Sequence, residues 1–295
     1  MANTYTQIRI YAVFAAVILF SFASLSAQKN SVYIWRDVPT MEKEKSRLYV
    51  FEPADSLKNG VSVIICPGGS YAHLYGIKWE GFEAAQWLNS VGITAFVLRY
   101  RVGKDGYNHP AMLEDVQRAI QWVKMQAKDY KIDPNLLGVM GFSAGGHLAL
   151  MAGVFYHENQ LKKLGINAEI SLKPAFVVPV YPVVSMQDSM AHLRSRENLL
   201  GKKFTQQDKD KFSMEMQITQ DMPPVFLVAT QDDPVVNYKN SIALEAALKT
   251  ATVPHKFLLY ETGGHGFGMD EKRGGEAATW KNHFAEWLKE INILK

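Results

Sequence analysis

The sequence predicts an α/β protein, a mostly parallel central sheet with helices on both faces, and three observations carry that prediction. Short runs rich in Val, Ile and Leu recur along the 295 residues with helix-patterned stretches between them, the alternation expected when covering helices join successive strands. Those runs are continuously apolar, as strands buried on both faces are. One of them, ending at Met140, leads through Gly141-Phe142-Ser143-Ala144-Gly145 into a further apolar stretch, which sets a serine in a sharp turn between strand and helix.

Taken in order, strands are expected at 48–52, 61–66, 94–98, 137–140, 175–180, 225–230 and 256–261. A helix is expected over 111–127, where Met112, Val116, Ala119, Ile120 and Val123 share one face. In it Asp115 reads as a first-turn charge favoured by the helix dipole rather than a catalytic group. Ala277, Trp280, Phe284, Trp287 and Leu288 repeat at helical spacing between 276 and 290. From 185 to 221 the chain turns polar, with helix-like patterning and no clear strand. That stretch reads as an insertion and a candidate lid, in competition with a solvated helical excursion that touches no ligand.

At the N-terminus Arg9 precedes the apolar run 10–20, and small residues follow to Ala27. This three-part pattern predicts a secretory signal peptide at 1–27, cut after Ala27 or Ser26, and hence a secreted or periplasmic protein; a retained anchoring helix is the competing reading. No cysteine lies there to carry a lipid. The remainder, 28–295, is expected to fold as one domain, since 47% hydrophobic content at this length can fill a single large core. Beyond the leader no apolar run reaches the roughly 18 residues of a membrane helix, so no stable membrane insertion is expected after cleavage. A net charge of +3, with no basic cluster interleaved with aromatics, excludes a nucleic-acid partner. The single cysteine, Cys66, cannot form an intramolecular disulfide, and its place at the end of an apolar strand predicts a buried, inert thiol.

The glycines around Ser143 fit a nucleophile elbow, a turn too tight for neighbours that carry a Cβ. Such a serine needs an acid and then a histidine later in the chain. Of the eight histidines, His255, His265 and His283 follow the candidate acids. His265 lies in a glycine-rich loop after the run at 256–261, His283 on the patterned helix, and His255 beside Pro254 at a strand start. The acid is expected just past the run 225–230. Asp233 is preferred because Pro234 would help to fix its orientation, with Asp232 as competitor.

These features resemble the α/β-hydrolase superfamily, and within it the secreted acetyl-xylan-esterase and feruloyl-esterase-like serine esterases, which are similar to the hormone-sensitive-lipase-like branch. The likeness spans nearly all of the mature chain. It rests on Cys66 to Tyr71, Tyr100-Arg101, His109-Pro110-Ala111 with Asp115 and Arg118-Ala119-Ile120, Gly141 to Ala149, Tyr181-Pro182-Val183, Asp232 to Val236 and Gly263 to Gly268. Two departures stand out: Ser70 replaces a third glycine, and Asn237 stands where a proline commonly follows the acid.

The resemblance implies a Ser143–His265–Asp233 triad and an oxyanion hole built from the N–H groups of Gly69, Ser70 and Ala144. Its substrate class is a short-chain ester, acetyl first, on carbohydrates such as xylo-oligosaccharides, so the expected partner is a small-molecule or oligosaccharide ester. Tyr71 and Phe267 are candidate substrate-binding walls, with ordinary packing as the alternative. No cofactor or metal is implied, because no His, Cys or carboxylate group shows ligand spacing. A prolyl-oligopeptidase-like peptidase, a general carboxylesterase and a non-catalytic binding protein on the same fold are the competing readings. A glycosidase would need two placed carboxylates, and no such pair is legible.

Overall fold

A computed structural model describes residues 31–166 and 169–295, so the expected leader lies outside the described residues. Eight strands form one sheet: β1 (Ser31–Tyr33), β2 (Arg47–Phe51), β3 (Ser62–Cys66), β4 (Thr94–Arg99), β5 (Leu137–Phe142), β6 (Val177–Val180), β7 (Val225–Thr230) and β8 (His255–Tyr260). Their spatial order is β1-β2-β4-β3-β5-β6-β7-β8. The pairs β1–β2 and β2–β4 are antiparallel, and every later pair is parallel. Each apolar run read from the sequence is a strand to within a residue or two. Only β1 escaped that reading, being three residues long and partly exposed.

Nine helices connect or flank the strands among the described residues: α1 (Glu83–Ser90), α2 (Ala111–Met125), α3 (Ala127–Tyr130), α4 (Ala144–Val154), α5 (Leu193–Leu200), α6 (Gln206–Phe212), α7 (Lys239–Thr250), α8 (Glu271–Gly274) and α9 (Trp280–Glu290). Alternate side chains of the buried strands divide between two cores. Ile64 and Cys66 of β3 pack with α2, α4 and α7 on one face, while Val63 and Ile65 pack with α1 and α9 on the other. Among the described residues no helix is long and apolar enough to cross a membrane. Cys66 is fully buried, and burial pushes its thiol pKa far up.

Two features revise the expectations. Asp115 is more than a first-turn charge favoured by the dipole: it is fully buried, accepting from Trp35 Nε1 at 2.6 Å, Ser46 Oγ at 2.9 Å and the Arg101 amide at 2.7 Å. The cause is the segment before β2, which covers that side of α2 and brings Trp35 and Ser46 onto the carboxylate. Burial pushes the Asp115 pKa up, and the Arg101 guanidinium opposes the shift. The polar stretch 185–221 folds as α5, α6 and a 3-10 turn, and it sends Leu199, Phe212 and Met214 into the first core. Its polar sequence hid these anchors.

Candidate active site

Ser143 sits where β5 gives way to α4. Its N–H donates to the Val180 carbonyl at 3.0 Å and its own carbonyl accepts from Val183 and His147 at 3.2 Å each. Its backbone adopts φ 54°, ψ −120°, a conformation that costs about 1–3 kcal/mol and survives only where the surroundings impose it. Here they do. A Cβ on Gly141 would stand 1.9 Å from the Gly145 carbonyl oxygen, and one on Gly145 would stand 2.0 Å from that of Cys66. The first turn of α4 therefore presses against the ends of β3 and β5, and the hydroxyl lies at the N-terminus of an 11-residue helix.

Two loops at the ends of β7 and β8 complete a chain of hydrogen bonds. The Ser143 hydroxyl donates to His265 Nε2 at 2.9 Å, and His265 Nδ1–H donates to Asp233 Oδ2 at 2.7 Å. Asp233 Oδ1 is held by the N–H groups of Val235 and Val236 at 2.8 and 2.9 Å, and its side chain is only 2% exposed. Asp232 faces elsewhere. It accepts from the N–H groups of Gly264 and Gly263 at 2.8 and 3.2 Å, which hold its carboxyl below the ordinary range. One aspartate thus touches the imidazole and its neighbour holds the turn on which the imidazole rides.

The loop after β3 approaches Ser143 from the other side. Gly69 (φ 140°) and Ser70 (φ 57°) turn the chain back so that the Gly69 carbonyl accepts from Ala72 and His73 at 3.0 and 3.2 Å. The N–H groups of Gly69, Ser70 and Ala144 have no partner among the described residues. Gly69, Ser70, Ser143 and His265 all border one cavity of about 290 Å³. A hollow of about 590 Å³ near the C-terminus and one of about 430 Å³ beside Phe155 include none of Ser143, Asp233 and His265.

The two candidate wall residues lie elsewhere. Tyr71 follows Ser70 in the left-handed region (φ 56°), which turns its ring inward; it is fully buried and its hydroxyl donates to His147 Nδ1 at 2.9 Å. Phe267 is also core, packed edge-on to Tyr181 at 4.7 Å. Burying their large apolar rings outweighs leaving them at the cavity. Its walls are instead His73, Tyr75, Trp79, Glu80, Val235 and Arg273.

Sequence reasoning missed Glu80 and Tyr181. Glu80, 4% exposed, accepts from the Gly68 amide at 2.7 Å and the Tyr181 hydroxyl at 3.0 Å. The Tyr181 hydroxyl in turn accepts from the Gly268 amide at 2.9 Å, and its ring lies 4.8 Å from that of His265. This strut joins the loop after β3 to the loop carrying His265. Burial raises the Glu80 pKa, opposed by the Gly68 amide and the Tyr181 hydroxyl. Tyr181 could have been suspected from its place past the C-terminal end of a parallel strand, where sites on open sheets gather. Glu80 carried no signal, since one acid in a helical stretch reads as surface.

A hydroxyl that can pass its proton to an imidazole, beside amides with free N–H groups, suits acyl transfer through a covalent intermediate. Among the described residues no three His, Cys, Asp or Glu side chains are grouped to hold a metal ion. The chain is 31% identical to an acetylxylan esterase of Xylanibacter ruminicola over 85% of its length, and 32% identical to endo-1,4-beta-xylanase B of Butyrivibrio fibrisolvens over 74%. It spans 48% and 34% of those two proteins. Among solved structures, the acetyl ester-xyloside bifunctional hydrolase of Caldicellulosiruptor lactoaceticus superimposes with a TM-score of 0.79 at 33% identity, covering 90% of this chain and 98% of that one. The dienelactone hydrolase family model matches residues 211–294. The BD-FAE family model matches residues 48–248, and with that match and this fold the chain belongs to the BD-FAE family of α/β-hydrolase esterases.

Proposed function

We propose that this protein is a serine esterase that removes short acyl groups, acetyl foremost, from carbohydrates such as xylo-oligosaccharides. The observation that carries the reading is the unbroken chain from Ser143 Oγ through both nitrogens of His265 to Asp233, open to a cavity at its serine end. In the first half-reaction His265 takes the Ser143 proton as the oxygen attacks the ester carbonyl. The N–H groups of Gly69, Ser70 and Ala144 receive the developing oxyanion, a contribution worth on the order of 10²–10³ in rate per donor. As the tetrahedral intermediate collapses and the ester C–O bond breaks, His265 gives the proton to the departing sugar oxygen. In the second half-reaction water, deprotonated by His265, attacks the acetyl-enzyme, and acetate leaves with Ser143 restored. Asp233 keeps the imidazole in the required tautomer throughout. The modest size of the cavity supports a small acyl group, and the names of the relatives support a cell-wall sugar.

The test is a substrate series. kcat/KM should fall steeply from acetyl to hexanoyl esters of one alcohol, and acetate should be released from acetylated xylo-oligosaccharides without shortening their backbone. Rates that stay flat or rise with acyl length would make the protein a general carboxylesterase, and shortened backbones would reveal a glycosidase. The pattern at 1–27 further supports export of the protein, which cell fractionation with N-terminal sequencing of the mature chain would test.

A further inference from the structure

The cavity at Ser143 is not walled evenly. Its rim on the side of the loop after β3 carries an aromatic group that the acyl-transfer chemistry does not use. Tyr75 is 70% exposed. Trp79 lies edge-on to it at 5.1 Å, and the His73 ring is 5.7 Å away. The Arg273 guanidinium is 5.2 Å from the centre of the Trp79 ring, and its Nε lies 3.6 Å from Asp270. The two terminal nitrogens of Arg273 take no partner among the described residues. His73 Nδ1, by contrast, is enclosed against the Gly69 backbone and faces away from any ligand. All four side chains border the cavity that holds Ser143.

A ligand matched to this corner must present a flat face of C–H groups to the aromatics and hydroxyls at its edge to the nitrogens. A fatty chain would leave the nitrogens unsatisfied, and a carboxylate would find Arg273 already neighboured by Asp270. A neutral pyranose satisfies both demands. We propose that Tyr75 and Trp79 form a stacking subsite for a neutral sugar ring in the alcohol portion of the ester, with Arg273 hydrogen-bonding its hydroxyls. The inference rests on the carbohydrate-ester reading above and adds to it the residues that select the sugar. Under it, a simple alkyl acetate uses Ser143, His265 and the free amides but gains nothing from the ledge.

The experiment compares acetylated xylotriose with ethyl acetate in wild type, Tyr75→Ala and Trp79→Leu, with unacetylated xylotriose as a competitive inhibitor. In both variants the ratio of kcat/KM for the sugar ester to that for ethyl acetate should fall about tenfold, as loss of an aromatic contact implies. The inhibition constant for xylotriose should rise in parallel. Tyr75 is exposed enough that its truncation leaves the core intact. An unchanged ratio and inhibition constant in both variants would overturn the subsite alone. Wild-type enzyme that hydrolyses ethyl acetate but not acetylated xylotriose would overturn the carbohydrate reading, and the subsite with it.

Discussion

The serine side and the histidine side of the site are built on opposite principles. Around Ser143 the backbone is locked by contact, since a Cβ at Gly141 or Gly145 would meet a carbonyl oxygen at 1.9 or 2.0 Å. Around His265, Gly264 and Gly266 also sit at positive φ, yet a Cβ at either would meet nothing within 4 Å. The tip of that loop is held by discrete hydrogen bonds, its Gly263 and Gly264 amides donating to Asp232, its Gly264 carbonyl accepting from Thr230 at 2.7 Å and its Gly268 amide donating to Tyr181, while at its base Gly263 is pressed against Ala277 and Thr230. The difference fits the chemistry: the nucleophile has one position to hold, whereas the imidazole must serve an incoming serine proton, a leaving alcohol and a water. It also means that the histidine side can be taken apart one bond at a time.

The largest expected effect is on the serine side. Ser143→Ala should lower turnover on the order of 10⁴–10⁶-fold, and a serine-directed phosphonate should label Ser143 alone; an active variant would sink the mechanism. On the histidine side Asp233→Asn should cost on the order of 10⁴ in turnover, as loss of the triad acid does in serine proteases. Steady-state rates measured beside Asp232→Asn sharpen the contrast, because the amide oxygen of that variant can still accept from one glycine N–H and the change should cost about tenfold. The reverse ranking would give Asp232 the acid's role.

Between these lies the strut that joins the two sides. A glutamine at position 80 keeps one acceptor oxygen but sets an N–H₂ group against a second donor. Glu80→Gln should therefore lower kcat about 10²-fold by loosening the loop that presents Gly69 and Ser70, with binding of a phosphonate analogue weakened in proportion. Unchanged kinetics would mean that the two sides stand independently.

A last effect concerns stability rather than rate and belongs to the buried histidine on the serine side. His147 is fully buried, donating from Nε2 to the Phe212 carbonyl at 2.8 Å and accepting from Tyr71, and burial lowers its pKa from 6.5 to about 4. The folded chain keeps it neutral while the unfolded chain takes up a proton, so its contribution is complete above about pH 6.5 and is lost as pH falls toward 4. At most that is on the order of 3 kcal/mol. Melting temperature should drop across this window in wild type and more shallowly in His147→Asn; equal slopes would refute the assignment.

What the sequence made legible was whatever is local. The strands announce themselves as continuous apolar runs, and Ser143, Asp233 and His265 follow from turn chemistry and chain order; the structure brings these three within hydrogen-bond distance. What it hid is long-range or depends on which way a side chain turns. Glu80 and Tyr181 are 101 residues apart, and neither neighbourhood in sequence refers to the other. Tyr71 and Phe267 lie beside reactive residues in sequence, yet their rings turn into the core. The buried partners of Asp115 were hidden because they come from 69 and 80 residues upstream.

The burial of Cys66 has a practical consequence. As the chain's single cysteine, fully enclosed at the end of β3 with its thiol held protonated, it should ignore maleimides and iodoacetamide while the fold persists. A cysteine introduced at exposed Tyr75 or Leu193 would then be the sole target for a spin label or fluorophore. A probe at Tyr75 could report occupancy of the cavity against a silent thiol background, and the moment Cys66 itself becomes reactive would time the opening of the sheet.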